Sequence, residues 1–381
     1  MQALHFGAGS IGRGFIGKLL SESSYEVIFV DIDPKMIDQL NTDREYEVET
    51  VGANEKVETV KNVSGVLSGN ISGIIEISEK ANLITTAVGA NVLVIIASTM
   101  AEIIKNRKEK NITDFLNIIA CENKLKASSF LKEKTTEYLN EEEKAYLEKY
   151  VAFVDSAVDR LVPPRKIEGE KITYTIVEEF YEWIVDQNLI KGDLSIAGMT
   201  KAKELYPFIE RKLFTVNTGH AIAAYMGCYS DIETIDQAIM DEEIRKTVIG
   251  AMWESGNVLI NRYGFNKDEH GKYIDKIIKR FENKYLGDTT VRVGREPLRK
   301  LGVKERLVRP LLGTEEYNLT NDNLIKGIGY ALKYDYESDT ESVELQKYIK
   351  NKGLKETLKI ITEGQLSDRL IEKIRNAYEK I

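Results

Sequence analysis

Hydrophobic positions follow two rhythms along this chain. Up to about residue 190, short apolar runs such as Ala3–Phe6, Tyr25–Val30, ANLITTAVG and FLNIIACEN alternate with longer amphipathic stretches such as VLVIIASTMAEIIKN. Runs of four to eight apolar residues bounded by turn formers predict buried strands, and the spacing of Phe15, Ile16, Leu19 and Leu20 predicts a helix. Strand and helix in turn predict a doubly wound, parallel α/β sheet of the Rossmann type. ETVGANEKVETVKNVSGVLS reads as short alternating strands and TTEYLNEEEKAYLEKY as a charged helix. VAFVDSAVDRLVPP ends at a Pro163-Pro164 stop, and KITYTIVEEFYEWIV alternates like a strand. From about Gly192 the segments become long and amphipathic, predicting an all-helical second domain. The expected division is therefore a Rossmann-type domain over 1–190 and a helical domain over 191–381.

The first strand runs into GAGSIGRGFIG, so that five glycines fall within the first seventeen residues. Gly7, Gly9 and Gly12 match G-x-G-x-x-G, which supplies a tight turn, an approach for a pyrophosphate and close helix packing. The helix that follows points free N–H groups and its positive dipole end at an anionic diphosphate. A match of this kind also arises in ordinary turns, and Asp31 and Asp33 before Pro34 could be a solvated strand end. Here, however, the second strand ends in Asp31, nineteen residues after Gly12, where a carboxylate accepts ribose hydroxyls and repels a 2′-phosphate. NAD is thus expected rather than NADP, held along Ala3, Leu4, His5, Phe6, Gly7, Ala8, Gly9, Ser10, Ile11, Gly12 and Asp31. FAD uses the same kind of loop, but nothing else in the chain points to a flavin.

Size and charge narrow the class. A chain of 381 residues predicts two domains sharing a cleft. With 53 basic and 61 acidic residues, the net charge of −8 argues against non-specific nucleic-acid binding. The apolar run Val92–Ala97 falls far short of the ~20 residues of a membrane helix. The first strand follows Met1 so closely that no secretory signal is expected, and Cys121 and Cys228 form no C-x-x-C pair, which fits a reducing cytoplasm. His5, His220 and His270 are far apart and no H-E-x-x-H occurs, so no metal site is expected. His5, inside a strand, reads as a core residue.

Three groups of polar residues could carry chemistry. In KLFTVNTGH, α-helical geometry of about 100° and 1.5 Å per residue sets Lys212, Asn217 and His220 at roughly 0°, 140° and 80° over ~12 Å. Thr215, Asn217, Thr218 and Gly219 are weak helix formers there. A solvated lysine and a core histidine would explain the same spacing. In ACEN, Glu122 and Asn123 follow an apolar strand, where ligands of doubly wound sheets bind, as does Thr85 to Ala90. Reduction of a ketone needs a proton donor and hydrogen-bond donors aimed at the developing oxyanion, which Lys212 and the two asparagines satisfy without a metal. In VRVGREPLRKLGVKERLVRP, Arg292, Arg295, Arg299, Lys300, Lys304, Arg306 and Arg309 crowd together in an acidic chain. Arginine forks match phosphate oxygens, while a helix face paired with Glu296 and Glu305 is the plainer explanation.

HFGAGSIGRGFIG, ACEN, VDSAVDRLVPP, YPFIERKLFTVNTGHA, VRVGREPLRKL and PLLGT, in that order, resemble the mannitol-1-phosphate 5-dehydrogenases of the polyol-specific long-chain dehydrogenase family. Ser10 stands where many relatives carry Asn. The resemblance implies a metal-independent, NAD-linked interconversion of D-mannitol 1-phosphate and D-fructose 6-phosphate. It implies Lys212 as general acid/base, Asn123 and Asn217 on the reacting oxygen, and His220 on substrate hydroxyls. Arg292, Arg295, Arg299 and Lys300 are the candidates for the substrate phosphate. A relative acting on an unphosphorylated polyol or hexuronate, and a non-catalytic NAD sensor, are the alternatives. The oligomeric state is left open.

Overall fold

The computed structural model describes residues 1–52, 54–163 and 171–381, so Pro164 of the expected Pro-Pro stop lies outside the described residues. The chain divides into two compact units, Met1–Phe208 and Ile209–Ile381.

The first unit holds twelve strands among its described residues. β1 (Gln2–Phe6), β2 (Glu26–Asp31), β3 (Glu45–Val51), β4 (Lys56–Lys61), β5 (Val63–Leu67), β6 (Leu83–Thr86), β7 (Leu116–Ala120) and β8 (Val151–Phe153) come first. β9 (Ser156–Asp159), β10 (Thr175–Glu178), β11 (Glu182–Asp186) and β12 (Met199–Ala202) follow. Six of them form one sheet in the order β5-β2-β1-β6-β7-β8, with every pair parallel. The winding reverses between β1 and β6, which opens a crevice beyond their carboxyl ends.

Burial on both faces explains why these strands are apolar throughout. Val27 and Phe29 point with Ala3 into one core, built with Phe15, Ile16, Leu19 and Leu20 from the glycine-turn helix. Leu4, Phe6, Ile28 and Val30 point into the other, against Met100, Ile103 and Ile104 of the helix Leu93–Glu109. The expected doubly wound domain is therefore present. KITYTIVEEFYEWIV is two strands rather than one: β10 lies parallel to β3, while β11 runs antiparallel to β9. β12 pairs with β11, so strand structure continues past Gly192 and helices take over after Ala202.

The second unit is helical. Thr218–Tyr229 runs through its middle, with Ala221–Gly227 buried throughout. It is packed by Glu242–Tyr263 and Asp322–Lys333. Small residues allow the close approach: a Cβ on Gly219 would stand 2.2 Å from Met252 Cε, and one on Gly327 2.5 Å from Ile222 Cγ1. Asp241 starts the long helix by accepting from the N–H groups of Glu243 and Ile244, and Gly264, at φ +70°, ends it. Buried Glu254 accepts from Asn323 and Leu324 and so holds the start of Asp322–Lys333.

Candidate functional site

In the first unit, the three fingerprint glycines do different jobs. Gly7 has φ +101°, and a Cβ there would come within 2.5 Å of Ala87 O; one on Gly12 would lie 2.0 Å from Gly7 O. Both are needed for the fold of the turn. Gly9 is exposed, and a Cβ on it would meet nothing within 4 Å. Its missing side chain leaves space for an incoming group. Gly9→Val is therefore expected to keep the wild-type melting temperature but weaken NADH binding by about tenfold or more, as read by titration calorimetry. Gly12→Ala is expected to cost ~1–3 kcal/mol of stability in denaturant unfolding.

Asp31 closes the crevice from the end of β2. Its Oδ2 accepts from Ala8 N at 2.6 Å and its Oδ1 from Asp33 N at 3.0 Å. Each carboxylate oxygen keeps a further lone pair for a hydroxyl. Arg13, the cation in this neighbourhood, is buried and spent on backbone carbonyls, Thr173 O at 3.0 Å and Ala8 O. It is not turned out to receive a 2′-phosphate. The crevice thus fits NAD. Ala3, Leu4, His5 and Phe6 are wholly interior, so they set the position of the turn and offer a cofactor no side chain. His5 contacts Thr85 Oγ1 at 2.7 Å, and burial lowers its pKa to about 3, which keeps it neutral.

Glu122 is structural. Its carboxylate accepts from Thr86 Oγ1 at 2.8 Å, Val88 N at 2.9 Å and Gly89 N at 2.9 Å, tying the turn after β6 to the end of β7. Asn123, the next residue, is exposed beyond β7.

In the second unit, Lys212 opens a turn wound as a π-helix, Lys212–Asn217, ahead of the helix Thr218–Tyr229. The amide of Thr218 reaches back to Leu213 O, five residues earlier. An i→i+5 turn sets Asn217 one turn above Lys212, so the 140° separation expected from α-helical geometry does not apply. His220, three residues beyond Asn217, stays on the same side. Carbonyls loosened by the wide turn are taken up by hydroxyls: Ser255 Oγ lies 2.6 Å from Phe214 O, and Thr218 Oγ1 lies 3.1 Å from Leu213 O. Just upstream, buried Glu210 receives Arg262 at 2.9 Å, Arg309 at 2.5 Å and the Tyr263 hydroxyl at 2.6 Å. That clamp fixes the backbone from which Lys212 projects. His220 stacks on Phe281, with centroids 5.0 Å apart, and its Nε2 lies 3.1 Å from Asp288 Oδ2.

The basic cluster separates into paired and unpaired members. Arg292 forms an ion pair with Asp288. Arg299 pairs with Glu296 at 2.7 Å and Glu305 at 3.3 Å. Arg295 is exposed. Of the four residues expected to hold a phosphate, Arg292 and Arg299 are thus already engaged by carboxylates of the same unit. Lys300 is different: it is 5% exposed, and among the described residues no carboxylate lies within ion-pair distance of its ammonium. Burial, with Arg306 and Arg299 nearby, pushes its pKa down to about 8 against the smaller opposing pull of Glu296 and Asp339. Arg306 is also largely buried, and its Nε pairs with Glu305 Oε2 at 3.2 Å. Arg306 was one basic residue among seven in the sequence; only the turn after Lys300 brings its charge to bear on that residue. Asp288 carried no sequence signal at all.

Residues 1–198 match the mannitol dehydrogenase Rossmann domain and residues 204–381 the mannitol dehydrogenase C-terminal domain. Among solved structures, the chain is similar to a substrate-free D-sorbitol dehydrogenase at 16% identity and a TM-score of 0.85, covering 99% of this chain and 92% of that one. It is also similar to mannitol 2-dehydrogenase of Pseudomonas fluorescens in ternary complex with NAD and D-mannitol. There the identity is 13% and the TM-score 0.69, with 100% and 91% covered. With both family domains matched in order over nearly its whole length, the chain belongs to the mannitol dehydrogenase family.

Proposed function

We propose that this protein interconverts D-mannitol 1-phosphate and D-fructose 6-phosphate with NAD as the redox partner and without a metal. Lys300 carries the reading: a buried ammonium with no carboxylate within ion-pair distance among the described residues, on which Glu296 and Asp339 act only from farther off, sits beside a second cation and suits an anion. An uncharged polyol would leave that charge without a close partner. A phosphate monoester supplies up to two charges and several acceptor oxygens to Lys300 and Arg306.

NAD, when bound, accepts or supplies the hydride. The chain manages the proton and the charge. Lys212 gives a proton to the ketone oxygen during reduction and takes one from the alcohol during oxidation. The carboxamides of Asn123 and Asn217 donate to the same oxygen and stabilise the charge that builds on it. His220 binds substrate hydroxyls. Asp31 selects the unphosphorylated ribose, so NADH is expected to serve better than NADPH and Asp31→Ala to narrow that preference in initial-rate assays.

The direct test is oxidation of NADH by fructose 6-phosphate, monitored at roughly pH 6–9 with plain fructose in parallel. Turnover with the phosphate ester and little with fructose is the expected result. Equal turnover would transfer the protein to the unphosphorylated polyols on which the two similar structures act. NADH binding with no turnover on either would make it a sensor.

A further inference from the structure

We infer that Asp288 is a positioning residue for His220, with its charge balanced by Arg292; the inference rests on the reading of His220 as a substrate ligand. Asp288 is 5% exposed and its backbone is pinned. Its carbonyl receives Ile235 N at 2.9 Å, while Thr290, two residues on, donates its amide to Glu233 O at 2.9 Å and its hydroxyl to Ile232 O at 2.7 Å. A carboxylate held this firmly acts as a fixed reference for its neighbours.

Each of its oxygens faces one cation or ring. Arg292, one helical turn later, pairs with Oδ1 and offsets the cost of burying the charge. Oδ2 is buried and lies 3.1 Å from His220 Nε2, at an angle short of a straight hydrogen bond. A modest rotation of the imidazole aligns the two, as occurs when apo sites tighten on their ligands. Phe281 lies against the ring face at an interplanar angle of 18° and limits the imidazole to small shifts. In the neutral imidazole a carboxylate at Nε2 fixes the hydrogen on that nitrogen and makes Nδ1 the acceptor. The imidazole then presents a lone pair suited to a polyol hydroxyl.

The chain has three histidines, so nitrogen NMR of histidine-labelled protein resolves each one, with His220→Gln assigning the signal. The expected wild-type spectrum shows His220 in the Nε2–H tautomer. Asp288→Ala is expected to remove that preference and raise KM for fructose 6-phosphate about tenfold, with kcat within about threefold and NADH affinity unchanged. Asp288→Asn, whose oxygen still accepts from Nε2–H, is expected to restore most of both. An Nδ1–H tautomer in the wild type, or His220 signals unmoved in Asp288→Ala, overturns the inference. If Asp288→Ala does not fold, the wild-type tautomer and the Asn variant decide. If the tautomer is as expected but His220→Gln leaves KM and kcat unaltered, the substrate role of His220 fails and the positioning stands.

Discussion

Replacing Lys212 by alanine is expected to lower kcat for fructose 6-phosphate by about 10²–10⁴ while NADH binds as tightly as before. The size follows from what is lost. The ketone oxygen would have to take its proton from water, with the asparagine donors still offering charge stabilisation but no transferable proton. The fold is not expected to suffer, because the turn carrying Lys212 is held by the Glu210 clamp and by the Ser255 and Thr218 hydroxyls, none of which involves the lysine head group. Lys212→Arg makes the stricter variant. It keeps the positive charge but gives up no proton near neutral pH, so it is expected to be nearly as slow as alanine. A kcat within about threefold of wild type in either variant, with single-turnover rates to match, would remove Lys212 from the chemistry.

The second large effect belongs to Lys300. Lys300→Met is expected to raise KM for fructose 6-phosphate by roughly 10–100-fold, the cost of one charge-assisted contact, and to leave the slow reaction with plain fructose untouched. Arg306→Ala is expected to act in the same direction but less strongly, because Glu305 engages its Nε, and Arg299→Ala, whose guanidinium has two carboxylates, should change KM little. The pH dependence has a definite sign. The folded pKa of Lys300 lies below its ordinary 10.5, at about 8. Below that pH the ammonium is charged and attracts the dianion; as pH rises through about 8, the proton leaves and KM climbs. The same depression means that the protonated lysine costs the folded state stability, a cost relieved as pH rises from about 8 towards 10.5. Sulfate or phosphate should therefore raise the melting temperature of the wild type at neutral pH. The effect should fade above pH 8 and be absent in Lys300→Met. A KM for the phosphate ester that ignores both pH and the substitution would point to another anchor.

Much of the first unit was legible because its signals are local. A buried strand, glycines at fixed offsets and an acid at the next strand end each follow from backbone sterics or charge within a few residues of one another. The same holds for the strand–helix alternation that predicts the parallel sheet. What the sequence concealed depends on geometry that one-dimensional spacing assumes away. The α-helical projection of Lys212 and Asn217 failed because weak helix formers there permit a wider turn, whose loosened carbonyls need hydroxyls from Thr218 and from distant Ser255. Glu122 looked like a cleft residue by position, yet three donors around it are contributed by another strand end. In the basic cluster, composition showed an excess of cations but could not show which of them carboxylates would neutralise. Arg292 is matched by Asp288, four residues upstream, and Lys300 has no carboxylate within ion-pair distance among the described residues.

The glycine-turn helix and the lysine-bearing helix each contain a six-residue wide turn, Gly12–Gly17 and Lys212–Asn217. Such a turn amounts to one residue more than a regular helix would hold. Excising a single residue from Lys212–Asn217 would let the helix close to its ordinary pitch, recover its standard amide bonds and swing every side chain on one flank by about 100° relative to the other. Helicity and thermal resistance would survive such an excision while turnover vanished, so in this protein the sound helix and the working helix are different objects separated by one amino acid.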